Sequence, residues 1–207
     1  MHRLILCSVL CLSTLAAADV FPWEGATTLT DAKGQTLVWT VTRVDGEVHI
    51  TGVHPKWQVE HRAKPDGTPL FTLKKVNGNT TRVTYSAEGA ELEQTDAKGK
   101  TKRSSIKEKN LMDGDSLDVR LAGQSWNSGK KVRMRIVDLE AADGTTYPMV
   151  AEYVGPEKCG LAPCHRVHLA LDDFRRLFAP TFEYRYSTAA GARYLQHDGD
   201  GLTFSVR

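Results

Sequence analysis

Glycine-centred turn pairs recur along this chain at short and fairly even spacing, and nothing else in the sequence limits its fold so sharply. Asp45-Gly46, Asn77-Gly78, Glu88-Gly89, Asp143-Gly144 and Ala190-Gly191 each interrupt segments rich in Val, Thr, Tyr and Leu. Further breaks fall at Lys33-Gly34, Pro65-Asp66-Gly67, Lys98-Gly99, Asp113-Gly114, Ser128-Gly129 and Asp198-Gly199. Asp-Gly and Asn-Gly suit two-residue hairpin turns because both central residues take positive φ, which Gly, Asn and Asp tolerate best. A chain reversed this often builds an antiparallel meander, here of about a dozen strands, each roughly 5 to 10 residues long.

Between the turns, several segments alternate in character with the period of a half-buried strand. Leu37, Trp39 and Val41 share one face against Val38, Thr40 and Thr42. Val132, Met134 and Ile136 oppose Lys131, Arg133 and Arg135, and Phe182, Tyr184 and Tyr186 oppose Glu183 and Arg185. A twisted sheet with one apolar face has to cover that face by curling on itself or by packing against something else. Helical material for the second solution is scarce. The pattern allows two short helices, Asp115–Ala122 and Asp172–Phe178, the latter with Asp172 or Asp173 as N-cap. The expected fold is mainly β: a curled antiparallel meander forming a barrel or half-barrel, partly plugged by a short helix.

One pentapeptide occurs twice, as Thr30-Asp31-Ala32-Lys33-Gly34 and as Thr95-Asp96-Ala97-Lys98-Gly99. The flanks diverge, Leu37-Val38-Trp39 standing against Lys102-Arg103-Ser104, so shared turn chemistry explains the echo better than a duplicated unit does.

The N-terminus sets the compartment. His2 and Arg3 precede the apolar run Leu4–Leu15, and Ala16-Ala17-Ala18 supplies the small residues of a cleavage site, which is the pattern of a secretory signal peptide. Removal of residues 1–18 leaves 19–207 as a single β-rich domain in the periplasm or outside the cell. Only Arg3 of the 27 basic residues, and none of the 25 acidic ones, lies in the leader, so the mature formal charge is +1. That balance gives no electrostatic ground for nucleic acid or an anionic membrane as a partner. The 41% hydrophobic content is enough for a core. No later apolar run approaches the roughly 20 residues of a membrane span. The mature chain is expected to be a soluble monomer.

Export also governs how the cysteines are read. Cys7 and Cys11 fall in the leader, which leaves Cys159 and Cys164, within Cys159-Gly160-Leu161-Ala162-Pro163-Cys164-His165, as the mature pair. A disulfide closing a short turn is the first reading. A second is covalent haem, because Cys-x4-Cys-His resembles a widened c-type attachment motif with His165 as axial ligand, although such a motif opens a helix and this segment reads as a strand. A third is a Cys2His2 metal site that adds His168. Parity opposes it, since His165 shares the face of Val167, Leu169 and Leu171 while His168 points the other way.

No catalytic constellation stands out. Ser125 in Gly123-Gln124-Ser125-Trp126-Asn127 lacks the second glycine of a nucleophile elbow and reads as a loop serine. Asp113, Asp115 and Asp118 lack the glutamate and the glycine position of an EF-hand loop and read as a solvated turn ahead of a capped helix. His49, His54 and His61 have no cysteine or acid at metal spacing and are expected on the surface or a rim. In the last third, Arg175, Arg176, Tyr184, Tyr186 and Arg193 form the candidate ligand site, a rim where guanidinium groups would grip an anionic head and rings would flank an apolar chain.

From Leu111 onward the order of features resembles a family of exported bacterial proteins of unknown function, whose curled antiparallel sheet is similar to the lipoprotein-carrier half-barrels. The matching pieces are Asp113-Gly114-Asp115-Ser116-Leu117, the strand Lys131–Leu139, Tyr147–Val154 with Gly155-Pro156-Glu157, and closing strands from His165; together they span roughly half the chain. The resemblance implies an envelope protein that binds or passes on something hydrophobic, or assists an envelope machine, and it implies no catalytic residues. The sequence thus points to a non-enzymatic binder of a hydrophobic or lipid-like ligand without a resident cofactor or metal. Its alternatives are an envelope assembly module and a monohaem redox protein.

Overall fold

A computed structural model describes residues 24–188, apart from 32, 142, 160, 178 and 180, together with 194–199 and 202–206. Eight strands come first: β1 (Gly25–Asp31), β2 (Thr36–Val44), β3 (Glu47–His54), β4 (Trp57–Ala63), β5 (Pro69–Val76), β6 (Asn79–Ser86), β7 (Gly89–Thr95) and β8 (Thr101–Ile106). A short strand β9 (Leu111–Asp113) and the helix α1 (Leu117–Ala122) follow. The chain then runs through β10 (Lys131–Val137), β11 (Thr146–Cys159), β12 (Ala162–Leu171), β13 (Phe182–Ser187), β14 (Tyr194–Gly199) and β15 (Leu202–Val206).

All fifteen belong to one sheet, in the order β8-β7-β6-β5-β4-β3-β2-β1-β15-β14-β13-β12-β11-β10-β9. Two meanders are therefore joined where the first strand pairs with the last, and every ladder is antiparallel except β9–β10, whose crossover carries α1. This order forces curvature. Laid flat, fifteen strands about 4.8 Å apart would span about 67 Å. The outermost strands β8 and β9 are consecutive in the chain, and residues 107–110 between them reach at most about 17 Å. The sheet has to roll until its two ends meet.

It rolls past closure, so that the two ends overlap. Met112 of β9 and Met134 and Ile136 of β10 face a large cluster that includes Leu29, Trp39, Val41, Ile50, Val59, Ala151, Val167, Leu169, Tyr184 and Tyr186. On the opposite face, Leu111 and Val137, with Leu139 just beyond, meet a second, smaller cluster of Val83, Tyr85, Ala90, Leu92 and Ile106. The end strand β9 and the adjoining end of β10 are thus tucked beneath a wing made of β5–β8. This explains why Ile136 and Val137 are both buried where simple alternation would expose one of them.

The alternating faces of β2, β10 and β13 point inward as their patterns indicate. α1 lies within the roll, where Leu117, Val119, Leu121 and Ala122 join the large cluster. The second expected helix is a single 3-10 turn, Phe174–Leu177, because none of its residues finds a buried surface to pack on; Asp173 accepts the Arg175 backbone N–H at 2.9 Å. Asp45-Gly46 and Asn77-Gly78 are two-residue hairpin turns with positive φ at both positions. The repeated pentapeptides build the same turn. Asp31 accepts from the backbone of Lys33 and Gln35, and Asp96 accepts from that of Lys98 and Lys100, at 2.7 to 2.9 Å.

Cys159 and Cys164 are joined by a disulfide across the β11–β12 turn. The disulfide leaves neither sulfur for the thioether bonds that the haem alternative needs, and His165 lies on a strand against the ring of Tyr153. Among the described residues no helix is long and apolar enough to cross a membrane.

Candidate functional site

Where β4 and β5 cover β9, a polar cluster has no exposure to solvent. His61 occupies the inward face of β4 between Val59 and Ala63, and it is flanked in the ladder by Ile50 and Thr72. Rolling the sheet brings these strands over β9. The Asp113 carboxylate then accepts from Thr72 Oγ1 at 3.0 Å, from the Ser116 backbone N–H at 2.9 Å and from Ser116 Oγ at 3.2 Å, with His61 Nδ1 at 3.2 Å. Burial works against the charge of Asp113, but His61, Arg120 and the Ser116 N–H outweigh it and hold the carboxyl well below the usual range. Tyr85 on β6 faces Thr72 and Asp113, and burial, reinforced by the Asp113 charge, pushes its phenol well up.

These positions correct two sequence expectations. His61 and Asp113, read as rim and solvated-turn residues, are both 0% exposed. The fold needs polar groups there because β9 ends at Asp113 and the chain turns at once into α1, leaving backbone N–H groups that a carboxylate can satisfy. The signal for His61 was present in the sequence as the parity of Val59, His61 and Ala63. The signal for Asp113 was not, because its partners lie on β4 and β5.

Residue types suited to acid–base chemistry meet here, but the Ser116 hydroxyl is bonded to Asp113 rather than to His61, and His61, Thr72, Asp113 and Ser116 are all sealed from solvent. The cluster instead clamps the wing. Further out, Lys74 of β5 pairs with Asp115 at 3.0 Å and with Glu140 at 3.5 Å. Burial disfavours the Lys74 charge, yet these two carboxylates raise its pKa; Asp115 is itself raised by burial, against the pull of Lys74. Thr81 Oγ1 donates to the Leu139 carbonyl at 2.9 Å, and Gln94 Nε2 donates to the Glu140 carbonyl at 3.3 Å.

Two clefts follow the line of overlap. A cleft of about 410 Å³ lies between the β4–β5 turn and the β8–β9 link, and its lining includes Gly67, Pro69, Tyr85, Leu111, Met112 and Met134. Asp66, Glu108, Lys109 and Arg133 ring it with charge. Arg120 of α1 reaches the same turn, donating to the Gly67 carbonyl at 3.1 Å, while its Nε and Nη2 are buried without a protein acceptor. At the far end of the overlap a cleft of about 200 Å³ is bounded by Lys74, Asp115, Leu139, Glu140 and Tyr147.

The residues singled out in the last third do not share one rim. Arg175 is exposed on the 3-10 turn and forks onto Asp173, while Arg176 and Lys131 both bind Glu152 and draw its carboxyl down to about 2. Tyr184 and Tyr186 are buried in the large cluster with ring planes 6° apart. Arg193 lies outside the described residues, as do the leader and Ala190-Gly191. Ser125 is an exposed loop residue between α1 and β10.

No known protein family matches the chain, and no curated protein is similar to it. Among solved structures, a "putative lipoprotein" from Parabacteroides distasonis ATCC 8503 aligns at 11% identity and a TM-score of 0.32, over 92% of this chain and 97% of that one. An overlap that loose supports no statement about function.

Proposed function

We propose that this chain is an exported, non-enzymatic binding protein whose ligand seat is the cleft at the lip of the wing, and that the ligand is a small amphiphile with an apolar body and a charged head. The observation that carries this reading is the cleft itself. Its volume of about 410 Å³ falls in the range of small-molecule sites, and its lining mixes apolar side chains such as Pro69, Leu111, Met112 and Met134 with charged ones such as Lys109 and Arg133. The interior of the roll is the less favoured seat, because α1 and the aromatic side chains of β2 and β13 pack there. Export is supported by the leader-like residues 1–18 and by the Cys159–Cys164 disulfide, a bond that persists in oxidising compartments. Native mass spectrometry of the mature protein isolated from its own host tests the reading. A bound amphiphile that leaves on denaturation is expected; bare polypeptide, with no stabilisation by a panel of carboxylate and sulfonate amphiphiles, would overturn it.

A second reading, an envelope assembly module, is favoured by one observation. Phe174 and Leu177 on the 3-10 turn are 78% and 82% exposed beside Arg175 and Arg176, an apolar pair left in water. A photo-crosslinking residue at position 174 that captures one envelope protein in whole cells, and loses it with Leu177→Asp, would move the assignment to this reading.

A further inference from the structure

We infer that the β5–β8 wing lifts away from β9 and β10 as a unit while the rest of the roll stays folded, and that this motion admits the ligand. The inference rests on the binding reading for the ligand and on independent geometry for the motion.

Among the described residues, β8 and β9 share no ladder, so the overlap is the one line in the roll that backbone hydrogen bonds do not stitch. It is held instead by side-chain bonds from Thr72, Lys74, Thr81 and Gln94 and by the smaller apolar cluster. Packing along it is incomplete, since both clefts described above lie on it. Ser104 Oγ on β8 and Arg120 Nε and Nη2 on α1 are buried without a protein hydrogen bond, as Thr27 Oγ1 and Trp39 Nε1 are on β1 and β2. Such groups cost free energy wherever they are buried. The wing also has a place to pivot. The β4–β5 ladder breaks register where Ala63 faces Pro69, and the intervening turn at Asp66-Gly67 is itself a wall of the large cleft. Regions with few apolar contacts and imperfect packing open first.

Lifting the wing would bare Leu111, Val137 and Leu139 on one side and Val83, Tyr85 and Leu92 on the other, an apolar slot continuous with the cleft. A ligand bound at the lip would then hold the wing in place.

The test is thiol labelling with the native disulfide intact. Single variants Leu111→Cys and Val83→Cys place a thiol beneath the wing on either side, and Val41→Cys places one in the large cluster. In native buffer with a maleimide, both wing thiols are expected to react at least roughly tenfold faster than Cys at position 41, at rates insensitive to low urea. 8-Anilinonaphthalene-1-sulfonate, added as the probe amphiphile, is expected to slow them. All three thiols reacting at one slow rate that tracks global unfolding would overturn the wing motion, and if the probe still bound at the cleft, the binding reading would stand without it. Fast wing thiols with no probe bound would keep the motion and remove the binding reading.

Discussion

The wall built from β1–β4 and the wing built from β5–β8 are continuous parts of one meander, yet they close against the rest of the molecule by different means. Trp39 on the wall packs against Gly52, where an added Cβ would come within 2.5 Å of the indole, and Val41, Ile50 and Val59 nearby are all fully buried. The wing meets β9 and β10 through the smaller apolar cluster and through side-chain bonds from Thr72, Lys74, Thr81 and Gln94, with two clefts along the contact. Apolar packing tolerates small adjustments and weakens gradually, whereas a buried charge network depends on every member. The contrast identifies the wing as the part of the roll that can be released separately.

The sharpest way to break this contrast is in the wall. Trp39→Ala should cost about 4 kcal/mol and lower the melting temperature of wall and wing together, because a cavity there loosens the cluster that both depend on. Near-UV circular dichroism should lose its signal in one transition. Asp113→Ala should cost about 3 kcal/mol by stranding His61 and Arg120, and because it also removes the acceptor of Thr72 on β5 it should release the wing first. In that variant, proteolysis within residues 64–110 should precede any change in the wall.

Acid gives a gentler version of the same cut. The Asp113 carboxyl is held below its unfolded value, so the stability it confers is complete above about pH 4 and is lost as the pH falls through the folded value. Asp115, raised by burial, acts with the opposite sign. Asp113→Asn should therefore flatten the fall in stability below about pH 4 that urea titrations of the unmodified protein show.

Smaller effects sharpen the comparison. Gly52→Ala should cost about 2 kcal/mol by displacing Trp39, read as a lowered urea midpoint. Replacing Cys159 and Cys164 by Ser together should cost at most about 2 kcal/mol, since the loop they close is short, and should leave wing labelling unchanged because the disulfide lies on the opposite meander. Gln94→Ala, which removes the weak bonds to the Leu139 and Glu140 carbonyls across the overlap, should cost about 1 kcal/mol or less and raise the labelling rate of a wing thiol without moving that of a wall thiol.

How much of this was legible in the sequence follows from the range of the interactions involved. Turn chemistry is local, so Asp45-Gly46 and Asn77-Gly78 marked real hairpins, and the doubled pentapeptide marked one turn used twice. Strand parity is nearly local, so the inward faces of β2, β10 and β13 could be read directly. The overlap was invisible because it pairs residues such as Thr72 with Asp113 and Thr81 with Leu139, distant in sequence and brought together only when the sheet rolls. For the same reason Asp113 read as a solvated acid. Tyr184 and Tyr186 show the complementary limit: their shared face was legible, but whether it met a ligand or the core depended on α1 lying inside the roll.

The central claim is that one sheet holds a tight wall and a releasable wing. Native-state hydrogen exchange followed by mass spectrometry, over a series of low urea concentrations, tests it most directly. The account predicts that amides of β6, β7 and β9 exchange through an opening of lower free energy and weaker urea dependence than amides of β2, β3 and β12. Exchange of all six strands through a single opening, with the free energy and urea slope of global unfolding, would contradict it.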